Sequence, residues 1–265
     1  MRYFIVSDIH GNYDKLQTAL TASGFDENED TLISVGDAFD RGTQNSLILN
    51  YLVNLPHKIL LWGNHDARLA KLIDGTAWLN FCDDHNGTTI TIEEFAKLPY
   101  ATEEALEILN KQQTPDARTL QQYFKLCKCA IEFPDMYITH GWLPHTDYDQ
   151  IVLYKDWKTI ATTFDIWYRA MWADTEAAIL DNAWPDKTML VGHWHAWRIA
   201  EYAYGEKRIN EETQSIDTST YISADKKIIA IDGCTNAEFG QVNVYVYETD
   251  AQPIIYNVKR KNKRK

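Results

Sequence analysis

At 265 residues and 45% hydrophobic content, the chain can bury one sizeable core, and no long linker divides it. The formal net charge is −12, and six basic residues fall in the tail Lys259–Lys265, so residues 1–258 carry −18. An acidic body of that size argues against broad capture of nucleic acid, and no apolar run reaches the roughly 18 residues of a membrane span. The tail is read as a solvated, disordered end rather than a contact for RNA or anionic lipid. Cys82, Cys127, Cys129 and Cys234 have no C-x-x-C spacing, so free thiols are expected, with the Cys127–Cys129 pair packed in the core. A strand begins at Arg2–Tyr3, which leaves no room for a cleavable signal peptide, and a cytoplasmic location is expected.

In chain order, the apolar run Tyr3–Val6 leads into Ser7-Asp8-Ile9-His10-Gly11. Tyr13, Leu16 and Leu20 then keep helical spacing up to a stop at Gly24. Thr31–Val35 leads into Gly36-Asp37-Ala38-Phe39-Asp40-Arg41-Gly42. A stripe of Leu47, Ile48, Tyr51, Leu52 and Leu55 follows and ends before Pro56. Lys58–Leu61 leads into Gly63-Asn64-His65-Asp66, where Arg68, Leu69, Leu72 and Ile73 continue a helix to Gly75. These are three successive strand-loop-helix units.

Residues 76–129 change pattern. Thr102 opens a helix with Ala105, Leu106 and Leu109 on one face, and Thr114-Pro115 reads as an N-cap followed by proline at the first helical position. Leu120, Tyr123, Phe124 and Cys127 make a further stripe. The stretch is expected to be a helical insertion beside the site, with Trp78, Phe81, Tyr100 and Tyr123 packing it rather than lining an entrance. Met136–Ile138 then leads into Thr139-His140-Gly141, and Thr188–Val191 into Gly192-His193-Trp194-His195. Lys227–Ile231, Val242–Glu248 and Pro253–Val258 are expected to complete a second sheet.

Ligands of such sheets gather at the carboxyl ends of the strands, so Asp8, His10, Asp37, Asn64, His140, His193 and His195 can meet at one rim although they span 188 residues. Carboxylate, imidazole and amide donors without thiolate suit Mn²⁺ above all, with Fe, Zn, Co and Ni as other choices. Seven donors are too many for one ion. With Asp37 bridging, Asp8, His10, Asp37 and His195 serve one metal, and Asp37, Asn64, His140 and His193 the other. Two ions so placed would clamp a phosphoryl group and activate a bridging water for in-line attack. A histidine is the natural proton donor to a leaving alkoxide, a nearby carboxylate would orient it, and an arginine fork can bind two phosphate oxygens. Any one of these motifs alone is ordinary turn chemistry.

The ordered set D-x-H-G, G-D-x-x-D-R-G, G-N-H-D, H-G and G-H-x-H resembles the calcineurin-like metallophosphoesterases, and the D-R-G resembles their phosphoprotein phosphatase branch. That resemblance, over roughly residues 1–248, implies an α/β sandwich of two mixed β-sheets flanked by helices; composition and pattern read as one domain over 1–258 with the insertion at 76–129. It implies Asp8, His10 and Asp37 on the first metal, and Asp37, Asn64, His140 and His193 on the second. It implies His65 as acid, Asp40 as its partner, Arg41 as a phosphate ligand and Arg169, in Trp167-Tyr168-Arg169, as the second phosphate arginine. The sequence departs from the protein phosphatases at Trp62-Gly63-Asn64-His65-Asp66, where they typically read R-G-N-H-E. It departs again at His140-Gly141-Trp142, where they have H-G-G or H-A-G, and at His195, a ligand position of the wider family. Ile231-Asp232-Gly233-Cys234 resembles a segment of the diadenosine tetraphosphatases.

The leading expectation is a phosphomonoesterase of Ser/Thr protein phosphatase type, acting on phosphorylated protein or small phosphoesters. The alternative is a symmetrical dinucleoside tetraphosphate hydrolase, for which Trp142, Trp194 and Trp197 would stack bases. A nuclease or cyclic phosphodiesterase and a non-catalytic binding module rank below them. His57, His85 and His145 are read as ordinary loop or surface residues, and Asp66 as a first-turn helix acid.

Overall fold

The computed structural model describes residues 1–146, 150–211 and 213–258; the predicted basic tail at 259–265 lies outside the described residues. The first elements are β1 (Arg2–Val6), α1 (Tyr13–Ser23), β2 (Thr31–Ser34), α2 (Asn45–Asn54), β3 (Lys58–Leu60) and α3 (Asn64–Ile73). The insertion region holds α4 (Phe81–His85), α5 (Thr88–Ala96), α6 (Glu103–Asn110) and α7 (Pro115–Leu126). Then come β4 (Ala130–Glu132), β5 (Met136–Thr139), α8 (Trp157–Ile160), α9 (Phe164–Met171), α10 (Thr175–Leu180) and β6 (Thr188–His195). The last are α11 (Ala196–Arg198), a π-helical turn (Ile199–Ala203), β7 (Tyr221–Ile222), β8 (Ile228–Asp232), β9 (Tyr245–Glu248) and β10 (Ile254–Tyr256).

Two sheets form, with strand orders β3-β2-β1-β9 and β10-β4-β5-β6-β8-β7. Both are mixed. β1, β2 and β3 run parallel with β9 antiparallel to β1, while β5, β6 and β8 run parallel between antiparallel edges. The sandwich follows from strand parity, because alternate side chains leave opposite faces. Tyr3 and Ile5 of β1 join Ile33, Val35 and Leu61 in a cluster with Ile131, Phe133, Met136, Ile138, Leu190, Ile229 and Ile231 from the other sheet. Their neighbours Phe4, Val6 and Leu32 belong to a larger cluster with Leu16 and Leu20 of α1 and Leu52 of α2. One face of the first sheet thus packs on the second sheet and the other on helices, the expected α/β architecture.

Local chemistry sets the helix limits. Gly24 takes a left-handed φ of +75° and its N–H closes α1 on the carbonyls of Leu20 and Thr21. Thr102 and Thr114 cap α6 and α7 through their side chains, with Pro115 opening the latter as the sequence predicts. In α2 the predicted stripe shifts. Asn45, Ile48, Leu49 and Leu52 are buried, and Leu47 is 51% exposed, because the 3.6-residue period rotates it off that face.

Two further expectations are corrected. The run Val242–Glu248 supplies β9 to the first sheet, pairing Arg2 with Glu248 through Ile5 with Tyr245, and so covers the β1 edge that β2 leaves open. Of the four insertion aromatics expected to pack, Tyr123 alone is core; Trp78, Phe81 and Tyr100 are 73%, 81% and 72% exposed. Cys127 and Cys129 are buried free thiols, and burial pushes Cys129 up to about 12. Among the described residues no helix is long and apolar enough to cross a membrane.

Candidate metal centre

The parallel strands of both sheets deliver the motif residues to one rim. Asp8 and His10 follow β1, Asp37 follows β2, Asn64 and His65 open α3 after β3, His140 follows β5, and His193 and His195 end β6. To turn side chains inward directly after a strand, the backbone enters the left-handed region at Asp8, His10, Asp37, Asp40, Arg41 and His193 (φ +51°, +47°, +52°, +72°, +66° and +63°). Such positions cost on the order of 1–3 kcal/mol each and persist only where surrounding contacts over-determine them. Close packing adds to the constraint: a Cβ on Gly192 would stand 2.4 Å from Asp8 Oδ2, so β6 must carry glycine there.

Asp37 is the hub. Its Oδ2 lies 3.7 Å from His10 Nε2, 3.4 Å from His140 Nε2 and 3.9 Å from His65 Nε2. Asp8 Oδ1 lies 3.8 Å from the same His10 Nε2, and Asn64 Oδ1 lies 2.8 Å from His140 Nε2. Two donor groups result, His10-Asp37-His65 and Asp37-His140-His193, and they share Asp37. Asp8 Oδ2 accepts from Ser7 Oγ at 2.5 Å and from the His193 backbone N–H at 2.9 Å, which ties the rims of the two sheets together.

The hydrogen bonds test whether these residues fit metal ions. His10 Nδ1 faces the Phe39 carbonyl at 3.0 Å and His140 Nδ1 faces the Val35 carbonyl at 2.9 Å. A carbonyl only accepts, so both Nδ1 atoms carry hydrogen. Each Nε2 then faces carboxylate or amide oxygens, an arrangement that a cation between them would satisfy. Burial, then the charges of Arg41 and His65, holds His10 well below the usual imidazole range, and burial with His140 holds His193 down to about 3, so both are neutral donors. Burial works against charge on His140, but Asp37 raises His140 to about 9, and His140 with His65 in turn holds Asp37 well below the usual carboxylate range against its own burial.

His65 Nδ1 meets Asp40 Oδ2 at 2.8 Å, with both side chains buried. Burial lowers the imidazole, but Asp37 and the Asp40 hydrogen bond outweigh it and raise His65 above its ordinary value. Asp66 does more than complement a helix end. Its carboxylate accepts the backbone N–H groups of Asp37 (2.9 Å), Ala38 (3.2 Å) and Gly63 (3.1 Å), which fixes the loop that carries the hub.

Other residues stand apart from the donor groups. His195 is half-buried; its Nε2 faces Asp232 Oδ2 at 3.9 Å and its ring stacks on Trp197. Like Asp8, it lies outside the two tight donor groups; β6 shifts register between Val191 and His195, which pairs His195 with Asp232. Asp232, buried beside Asp8, is a site residue the sequence reading missed as a side chain; its signal is the strand-end aspartate of Ile231-Asp232-Gly233. Arg41 is exposed on the rim and Arg169 is half-buried on α9. Among the described residues, Arg2, Arg68, Arg198 and Arg208 are in ion pairs and Arg118 bonds a carbonyl, whereas neither Arg41 nor Arg169 has a side-chain partner. His145 is buried rather than superficial, its Nδ1 on the Leu143 carbonyl. Of the tryptophans expected to stack bases, Trp142 is 1% exposed, with its indole N–H on the Ala183 carbonyl, and is unavailable. Trp172, which the sequence reading passed over, is 41% exposed and its ring lies 6.1 Å from that of His193.

A sandwich of two mixed sheets whose rim gathers two oxygen-and-nitrogen donor groups on one carboxylate defines the dinuclear metallophosphoesterase class. The calcineurin-like phosphoesterase pattern matches residues 1–225, and the chain belongs to that family. Serine/threonine-protein phosphatase 2 of Escherichia coli (strain K12) is 40% identical over 79 residues, 29% of this chain and 36% of that protein. The symmetrical bis(5'-nucleosyl)-tetraphosphatase of Legionella pneumophila (strain Corby) is 38% identical over 73 residues, 27% of this chain and 26% of that protein. The chain therefore spans about a third or less of the length of these relatives. Among solved structures, a metallophosphoesterase from Sphaerobacter thermophilus has a TM-score of 0.50 at 18% identity, covering 98% of this chain and 90% of the other. A candidate diadenosine tetraphosphatase has a TM-score of 0.51 at 19% identity, covering 96% and 93%. At these identities both speak to the fold alone.

Proposed function

We propose that the chain is a metal-dependent phosphomonoesterase of Ser/Thr protein phosphatase type. The observation that carries this reading is the pair of donor groups meeting on Asp37, with the Asp40–His65 couple alongside. Asp8, His10 and Asp37 would hold one ion, with His195 as its fourth protein ligand, and Asp37, Asn64, His140 and His193 the other. When bound, the two ions supply electrostatic stabilisation to the phosphoryl group and lower the pKa of water. Manganese is the proposed metal, since the donors are oxygen and imidazole nitrogen without thiolate.

The remaining steps belong to side chains. Asp40 keeps the His65 proton on Nδ1 engaged, so that Nε2–H is free to protonate the departing alkoxide. Arg41 and Arg169, unpaired among the described residues, are free to bind phosphate oxygens, and the fork of a guanidinium suits them better than an ammonium. The proposed substrates are phosphorylated protein or a small phosphoester, without a stable nucleic-acid partner. A cytoplasmic location suits the four unpaired thiols.

A second reading, symmetrical dinucleoside tetraphosphate hydrolysis, is favoured by one observation, the half-exposed Trp172 ring beside His193, which offers a base-stacking surface. The two readings separate in one assay. With Mn²⁺ present, release is compared from a phosphoserine peptide, diadenosine tetraphosphate and bis-p-nitrophenyl phosphate. Preference for the peptide is expected, clean conversion of the dinucleotide to ADP would install the second reading, and preference for the diester would overturn both. His65→Asn should keep both metals and lower turnover by about 10²–10⁴-fold for alkyl phosphates. The loss should be smaller for p-nitrophenyl phosphate, whose leaving group needs no proton; equal losses would remove His65 as the acid.

A further inference from the structure

The Asp40 carboxylate is held from a direction the family motifs do not supply. Its Oδ2 accepts from Thr88 Oγ1 at 2.6 Å as well as from His65 Nδ1, and its Oδ1 accepts from Thr91 Oγ1 at 2.7 Å. The Asp40 backbone N–H donates to the Thr91 hydroxyl (3.1 Å) and to Asn45 Oδ1 (3.1 Å). Both threonines lie on α5 of the insertion, one turn apart on one face, and are 1% and 0% exposed. The approach is close throughout. The Arg41 N–H donates to the Asn86 carbonyl at 3.1 Å, and Gly87 (φ +77°) packs so near that a Cβ would stand 2.6 Å from Arg41 N. Glu94, also on α5, accepts from the Asn45 and Ser46 backbone N–H groups at 3.2 and 2.6 Å and so clamps the start of α2.

We infer that Thr88 and Thr91 are positioning residues for leaving-group protonation, which makes the insertion part of the catalytic unit and not only a cover. The inference rests on the proposed phosphoesterase reading. A carboxylate turns easily about its last torsion. Two hydroxyl donors, one on each oxygen, fix that torsion with Oδ2 aimed at His65, and the imidazole inherits the alignment. The same donors draw charge from Asp40 and weaken its pull on His65. Alignment outweighs this, because proton transfer depends steeply on geometry.

The test uses the full chain loaded with Mn²⁺. Thr88→Val and Thr91→Val remove the hydroxyls at nearly constant volume; Thr88→Ser and Thr91→Ser keep them and drop a methyl. Metal content, kcat and KM are measured with an alkyl phosphate and with p-nitrophenyl phosphate. Each valine variant is expected to retain two ions and near-native KM, to lose about tenfold in kcat on the alkyl ester and much less on the activated one, and the serine variants should restore the native ratio. Equal losses on both esters, no loss on either, or serine variants as impaired as valine overturn the inference. If a valine variant does not fold, the serine pair decides, since a changed ester ratio with both hydroxyls present contradicts it. A wild-type chain without activity on either ester refutes the underlying phosphoesterase reading instead, an outcome distinct from active wild type with unaffected variants.

Discussion

The inter-sheet core and the metal rim lie at two ends of the same strands and obey opposite rules. Tyr3, Ile5, Ile33, Leu190 and Ile231 sit in ordinary extended backbone and bury carbon against carbon. A few residues further on, Asp8, His10 and Asp37 are buried as well, but in strained backbone, with polar atoms that face one another. Stability is gained in the first region and invested in the second. The difference teaches that burial alone does not separate scaffold from site; the sign of φ and the chemistry of the buried atoms do.

The largest effect should come from the hub. Asp37→Asn is expected to lose both ions and to bring activity to background, a fall of about 10⁴-fold or more, read by metal analysis and turnover. Two stoichiometric ions retained in that variant would sink the bridging role. At the other end of the strands, Met136→Ala, at the start of β5, should cost about 2–5 kcal/mol in denaturant unfolding while leaving kcat of the folded enzyme unchanged. A comparable loss of kcat would erase the division between the two regions.

A smaller effect, within the rim, is expected of Arg169→Ala. Removing one charge-assisted contact of about 1.5–3 kcal/mol should weaken phosphate inhibition by about 10–100-fold with metals retained. Unchanged inhibition would disqualify that arginine.

The smallest effect lies far from the site. Glu132 of β4 bonds Lys158 at 2.9 Å, Lys187 at 2.6 Å and the Tyr256 hydroxyl. Burial raises its carboxyl, but these partners outweigh it and hold Glu132 down to about 2, below its ordinary value of 4.5. A depressed acid contributes stability above its unfolded pKa and loses it as the pH falls toward the folded one, here between about 4.5 and 2. Glu132→Gln should flatten that part of the acid-unfolding curve, by on the order of 1 kcal/mol given the exposed Lys158 partner. An unchanged acid limb would refute the linkage, and activity near neutrality should be unaffected.

Much of this was legible from sequence where the signal is local. The strands ahead of Asp8, Asp37, Asn64, His140 and His193 announce themselves by apolar runs closed with glycine motifs. Thr102 and Thr114 mark their helices because capping is a matter of three consecutive residues. What depended on distant pairing was not legible. The run that forms β9 reads as a strand, yet only the open edge of β1 decides which sheet it joins. His195 has the look of a ligand in G-H-x-H, while its place opposite Asp232 comes from a register shift in β6 that no local motif announces. Thr88 and Thr91 have no motif at all; their role comes from 48 and 51 residues of sequence separation closing on one carboxylate.

The central claim is that one rim holds two ions on a shared carboxylate, and the most direct measurement is the metal stoichiometry of the wild-type chain. Purified protein is stripped with a chelator, reloaded with Mn²⁺, freed of excess metal and assayed for manganese per chain. Two tightly held ions per chain are predicted. One ion or none, in a folded protein, would contradict the dinuclear account.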